Sequence, residues 1–237
     1  MDILSKQNKV FISLFVLLLF WTSANQILTA RVLYKVLGVQ ITRAGHLTGD
    51  VVSDAQTLVF TQGKPRIYGK ELGINMYPDP RDIAGIEASI SILRKFDHET
   101  MGIELAGEKL ERYKKLGYMP TIACEFCCPV KALIFPDGSR ACGCAHSYAM
   151  RGLMKYLIEN HGDEFTDDEI LREVIRWKAI FFPKQMMKRY MEQAPSGQFT
   201  PDMAALMYGI KIKKGAAVKQ TDISEALKSL PDMAGGC

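Results

Sequence analysis

The longest apolar run lies near the start of the chain. Residues Val10 to Trp21 read VFISLFVLLLFW, with Ser13 the one polar position, and Lys6 and Lys9 precede them. A run of this length matches the core of a signal peptide and falls short of a bilayer span. Read on through Thr22-Ser23-Ala24-Asn25-Gln26 to Ala30, it reaches roughly 20 residues, or about 30 Å of helix, enough to cross. The pattern predicts an uncleaved signal anchor over residues 1–30, with a cleaved signal as the alternative and a buried core helix as the weakest reading. Lys6 and Lys9 before the run, and Arg31, Lys35 and Arg43 after it, do not settle its orientation. The signal-like order favours a single-pass membrane protein that contacts the membrane through residues 10–30, with residues 31–237 an extracytoplasmic globular domain.

Beyond the run the periodicity changes. Thr57-Leu58-Val59-Phe60, the turn signal Gln62-Gly63-Lys64-Pro65 and Arg66-Ile67-Tyr68 read as a β-hairpin. Ile83, Ile86, Ile90 and Leu93 recur three or four apart, which predicts a helix. A second helix is expected over Glu104 to Leu116, ended by Gly117. After residue 145 the chain reads as helical. Met150, Leu153, Met154 and Leu157 share one face, and Gly162 stops that helix. Thr166 with Glu169 is a capping box opening the next, and Pro183 breaks it. Helix resumes over 185–193, with short helices over 202–207 and 223–230 and a frayed tail over Ala234 to Cys237. The fold class expected is therefore α+β: the N-terminal transmembrane or signal helix, then one mostly helical domain with β-hairpins, one of which joins a cysteine cluster.

Composition narrows the function classes. Hydrophobic residues make up 48% and charged residues 24% of the 237, so a disordered or collagen-like chain is excluded. The net charge of +4 gives no case for nucleic acid, and none is expected as a partner. Lys211, Lys213, Lys214 and Lys219 read as a solvated face. The methionine pairs Met150/Met154 and Met203/Met207 read as adaptable core packing. His46, His98 and His161 are isolated. The chain carries no G-x-S-x-G, P-loop, dinucleotide fingerprint or H-E-x-x-H.

Five of the six cysteines fall between Cys124 and Cys144, in the spacing C-x2-C-C-x13-C-x-C-x-H that ends at His146. Between the two groups, Ala132-Leu133-Ile134-Phe135 is strand-like and Pro136-Asp137-Gly138-Ser139 is a turn signal. With Asp137-Gly138 as a two-residue loop, Phe135 faces Arg140, Leu133 faces Cys142 and Lys131 faces Cys144. Such a hairpin brings the two cysteine groups together, with Gly138 at positive φ. A two-thiolate knuckle joined to ligands across a turn is how four-coordinate sulfur sites are assembled. The expected ligands are Cys124, Cys127, Cys142 and Cys144. Cys128 and His146 stand in reserve or serve a second ion, because adjacent side chains such as Cys127 and Cys128 diverge. Zinc leads on coordination pattern, followed by an iron–sulfur cluster and copper. Structural disulfides among the same residues are the competing reading.

The run Ala141-Cys142-Gly143-Cys144-Ala145-His146 resembles the Cys-Gly-Cys part of the PCYCGC-motif proteins, exported or membrane-anchored proteins without an assigned reaction. The resemblance implies an exported, metal-binding cysteine site and carries no activity with it. The chain departs from that motif in having Ser139-Arg140-Ala141 where the motif has Pro-Cys-Tyr, and in the extra Cys-x2-Cys-Cys upstream. The functional expectation is a membrane-anchored metal-binding protein with a structural or carrier role. The alternative is an extracytoplasmic thiol–disulfide oxidoreductase using Cys124-Glu125-Phe126-Cys127.

Overall fold

The segment expected to form the first hairpin instead holds the end of one helix, a loop and the start of another. In the computed structural model, which describes residues 47–97, 102–210 and 220–236, Val51–Val59 forms α1. The Asp50 carboxylate accepts the Ser53 N–H at 2.8 Å, an N-cap that commits the chain to helix. Asp54, itself buried, accepts the backbone N–H groups of Thr48 and Gly49 at 2.8 and 2.9 Å. Val51, Ala55, Leu58 and Val59 then face the core at helical spacing. Leu58-Val59 is thus the last turn of a helix, and the following Tyr68–Glu71 is a one-turn helix, α2.

The remaining helices follow the periodicity more closely. They are α3 (Ile83–Leu93), α4 (Gly107–Gly117), α5 (Ala145–His161), α6 (Asp167–Phe181), α7 (Pro183–Gln193), α8 (Pro201–Leu206) and α9 (Gln220–Leu227). Short 3-10 turns cover Arg94–Phe96 and Pro120–Ile122. The capping box forms as expected: Thr166 Oγ1 accepts the Glu169 N–H, and the Glu169 carboxylate accepts the Thr166 N–H at 2.9 Å. Pro183 opens α7 at its first position, where its missing N–H costs nothing.

Two helices form the centre. α5 packs against α3, α4, α6 and the Arg94–Phe96 turn, while α6 packs against α8 and the Pro120–Ile122 turn. Ala149, Met150, Leu153, Met154 and Leu157 are fully buried along α5, so the methionine stripe is core. The α5 crossing is close at Gly152, where a Cβ would sit 2.0 Å from the Leu93 carbonyl oxygen. Arg151, also fully buried, pairs with Asp97 at 2.8 Å. On α6, Glu173 accepts hydrogen bonds from Tyr68 at 3.0 Å and from Tyr77. Trp177 Nε1 donates to Tyr68 Oη at 3.0 Å, so the 68–77 segment is tied to α6 by polar groups as well as packing.

The α+β expectation is corrected by this architecture. Among the described residues there is no sheet, and the only strand-like pairing is a single antiparallel bridge between Ile134 and Arg140. The single-pass membrane reading is corrected as well: among the described residues no helix is long and apolar enough to cross a membrane. The longest of them, α5, carries buried Arg151 and His146 within its 17 residues. The expected anchor over 1–30 lies outside the described residues, as do residues 31–46, His98, the basic segment 211–219 and Cys237. The tail is not frayed over the part described. Ala234 is fully buried, and its N–H donates to the Phe181 carbonyl at 2.8 Å. A Cβ at Gly235 would press on Ile90 Cδ1 at 2.8 Å.

Candidate metal centre

The 123–144 stretch contains no helix and is held in place at three points. At its start, the Pro120–Ile122 turn packs on α6 and α8. Next, Glu125 pairs with Lys178 Nζ at 2.9 Å and with Arg189 at 2.8 Å. Phe126 lies under both cations and beside Phe182, whose ring centroid is 5.4 Å away. Lys178 and Asp202, both buried, pair at 3.2 Å, and Asp202 also pairs with Arg189. The two residues inside the Cys124–Cys127 knuckle are therefore clamped to α6 and α7, the helices that carry Lys178 and Arg189.

At the far end, the turn expected around Asp137-Gly138 forms with a different register. Gly138 N–H donates to the Phe135 carbonyl at 2.9 Å, and Phe135 N–H donates to the Ser139 carbonyl at 2.8 Å. Pro136 and Asp137 thus occupy the centre of a type I turn, and Gly138 follows at φ +93°. This makes a three-residue loop with a Gly bulge. Pro136 suits the first central position through its fixed φ, and Asp137 accepts the Ser139 N–H at 2.8 Å. Ile134, rather than Phe135, therefore faces Arg140. The hairpin is correspondingly reduced to one bridge plus a bond from Ala141 N–H to the Leu133 carbonyl at 3.2 Å. Arg151 reinforces it from below, donating to the carbonyls of Cys142 at 2.9 Å and Leu133 at 3.3 Å.

These supports bring the cysteines together in two groups. Cys124, Cys127 and Cys144 form a triangle with Sγ–Sγ distances of 3.3, 3.9 and 4.0 Å, close enough to hold a metal ion. Metal–sulfur bonds of about 2.3 Å in a tetrahedron place neighbouring sulfurs about 3.8 Å apart, so the triangle has the size of one tetrahedral face. A disulfide would need about 2.05 Å, and all five cysteines are free thiols. Cys142, an expected ligand, is placed instead against Cys128, with their Sγ atoms 3.2 Å apart. Cys128 lies 3.9 Å from Cys127.

Position and hydrogen bonding differentiate the three clustered thiols. Cys144 is the N-cap of α5, and its sulfur accepts the Ser147 N–H at 3.4 Å. Its pKa is held well below the usual thiol range by the hydrogen bond with Cys124, with His146 and Ser147 adding to the effect against the opposing cost of burial. A helix N-terminus favours an anion there. Cys124 is pushed up by its bond to Cys144 and by burial, and Cys127 is pushed up chiefly by burial. The helix N-terminal position thus favours Cys144 as the most readily ionised of the three. A bound cation would draw the remaining protons off.

His146, expected as a reserve ligand, and Ser147 follow Cys144 in the first turn of α5. His146 Nε2 donates to the Ala234 carbonyl at 2.9 Å, and the ring packs on Phe181 and Phe182. A carbonyl only accepts, so Nε2 carries the proton. His146 is thus held in place by the tail carbonyl and by Phe181 and Phe182. The buried Ser147 hydroxyl favours the ionised forms of Cys142 and Cys144 but lies beyond hydrogen-bond distance of any partner among the described residues. Glu125, Lys178, Asp202 and Arg151 were missed by sequence reasoning. Only Glu125 lay inside a motif, and nothing in the local pattern marked a lysine on an apolar helix face as its partner.

Compared with family models, curated proteins and solved structures, the chain matches none of them. The reading of function therefore rests on the geometry of the site.

Proposed function

We propose that this protein binds a transition-metal ion, zinc first, through the thiolates of Cys124, Cys127 and Cys144, and holds it exchangeably. The observation that carries the reading is the triangle of sulfurs at 3.3, 3.9 and 4.0 Å, the size of a tetrahedral face. Three protein ligands leave one corner to an exogenous ligand, whereas structural zinc sites are closed by four. Cys127 and Cys144 are half-buried, so the ion lies within reach of an acceptor. These features favour a carrier role over a purely structural one. An iron–sulfur cluster or copper would draw on the same sulfurs.

The oxidoreductase alternative asks for an exposed, easily ionised first cysteine in the C-x-x-C. Cys124 is fully buried and its thiol is pushed up, which favours the metal reading. The test is elemental analysis of the full chain purified without oxygen. The expected result is one zinc per chain, lost in Cys124→Ser, Cys127→Ser and Cys144→Ser. Purification with no transition metal above background, and no uptake on addition of zinc, iron or copper, overturns the reading.

A further inference from the structure

We infer that Cys128 and Cys142 form a redox-active dithiol whose oxidation locks the neighbouring metal site, an inference that rests on the three-thiolate reading above. Their Sγ atoms are 3.2 Å apart, so about 1.2 Å of approach makes the bond. Neither belongs to the Cys124–Cys127–Cys144 triangle, so both remain free to react when those three hold an ion. Cys128 is half-buried, and Cys142 sits behind it nearly closed off. That order gives one accessible sulfur to attack and one sheltered sulfur to resolve.

The oxidant is a small-molecule disulfide such as glutathione disulfide. Deprotonated Cys128 attacks one of its sulfurs, forming a mixed disulfide and releasing one small thiolate. Deprotonated Cys142 then attacks the Cys128 sulfur, forming the Cys128–Cys142 bond and releasing the second. Two protons leave the protein thiols and two appear on the released small thiols. Two protein sulfurs are oxidised and one external disulfide is reduced.

The consequence follows from where the pair is attached. Cys128 adjoins the ligand Cys127, and Cys142 lies two residues before the ligand Cys144. The bond therefore ties together the two segments that carry the ligands, which are otherwise joined by one β-bridge and a few turn hydrogen bonds. A tether of this kind raises the effective concentration of one ligand group near the other. Oxidation of ligand thiols normally releases zinc. Here the expected direction is retention, with release reserved for the reduced state.

The experiment treats the full chain, metal-free and zinc-loaded, with glutathione disulfide. Disulfides are mapped by mass spectrometry of proteolytic fragments, and zinc transfer to a chromogenic chelator is timed. The expected result is a Cys128–Cys142 bond in both samples, and zinc transfer slowed about tenfold or more by oxidation. Cys128→Ser and Cys142→Ala should each keep the zinc stoichiometry and abolish the slowing. A bond between Cys124 and Cys127, a bond through Cys237, no bond at all, or faster zinc loss after oxidation each overturns the inference. The metal-free sample separates the two claims. If Cys128–Cys142 forms there while no zinc binds to the reduced chain, the metal reading fails and the locking role falls with it, whereas normal zinc binding without the bond sinks the dithiol alone.

Discussion

Replacing Lys178 with methionine tests how the ligand loop is anchored. Lys178 is fully buried on α6 and lies within 3.2 Å of two carboxylates, those of Glu125 and Asp202. Methionine keeps the length and apolar stem of the side chain but removes the cation, leaving both acids to Arg189 alone. Removing one partner of a buried ion pair costs about 3–5 kcal/mol, because the other charge stays behind. Arg189 still reaches both acids, and the Glu125 side chain is 32% exposed, so we take the low end, about 3 kcal/mol. For a domain of this size that lowers the melting temperature by about 6–12 °C. The assay is urea unfolding of the zinc-loaded chain alongside Lys178→Met, Asp202→Asn and the double variant. The double variant should be less destabilised than the sum of the singles, by about 1–3 kcal/mol. A Lys178→Met cost below about 1 kcal/mol, the range of an exposed pair, would refute the clamp.

Three further outcomes are expected. A Cβ at Gly138 would meet no atom closer than 3.4 Å, so the cost of Gly138→Val, about 1–2 kcal/mol, comes chiefly from the positive φ; it should appear as weaker zinc binding in chelator competition with little change in melting of the helical core. Gly152→Ala drives a Cβ into the Leu93 carbonyl and should cost about 3 kcal/mol or more, read as a lower melting temperature with a weakened α5–α3 contact. Acid should destabilise the fold through Asp202 and Asp167. Burial raises the Asp202 pKa, but Lys178, Thr200 and Arg189 together bring it below the usual range, and Lys115 and Arg112 do the same for Asp167. With the folded pKa depressed, this contribution is complete above the ordinary carboxylate value of about 3.9 and is lost as pH falls through the depressed values. Melting temperature should therefore fall between about pH 5 and pH 2, and Asp202→Asn should flatten that slope.

The helices were legible where one periodic face met a clear boundary. Ile83 to Leu93, the Thr166 capping box and the Pro183 break each combine a pattern with a cap or stop, and each is found within a residue or two of its expected place. The 57–68 segment reads as a hairpin because Thr57-Leu58-Val59-Phe60 combines β-branched and aromatic residues, which favours strand only when nothing local opposes it. Asp50, capping from eight residues upstream of Leu58, opposed it. The cysteine hairpin was misregistered by one residue. The Asp-Gly pair suggests a two-residue loop, but Pro136 before it selects a type I turn, and the extra residue shifts every pairing. That shift contributes to Cys142 lying against Cys128 instead of with Cys124, Cys127 and Cys144. The tail was read as frayed because Ala-Gly-Gly has no packing volume of its own. It docks because small residues alone fit beside Ile86, Ile90 and His146. The charges around Glu125 depend on contacts between residues 13 to 64 positions apart, which no local pattern encodes.

The central claim is that three cysteine sulfurs hold one ion. X-ray absorption at the zinc edge, on the full chain loaded with zinc under reducing conditions, tests it most directly. Three sulfur scatterers at about 2.3 Å with one lighter atom at about 2.0–2.1 Å are predicted, and Cys144→Ser is expected to retain no zinc. A shell of nitrogen and oxygen only, or a sulfur count unchanged by Cys144→Ser, would contradict it.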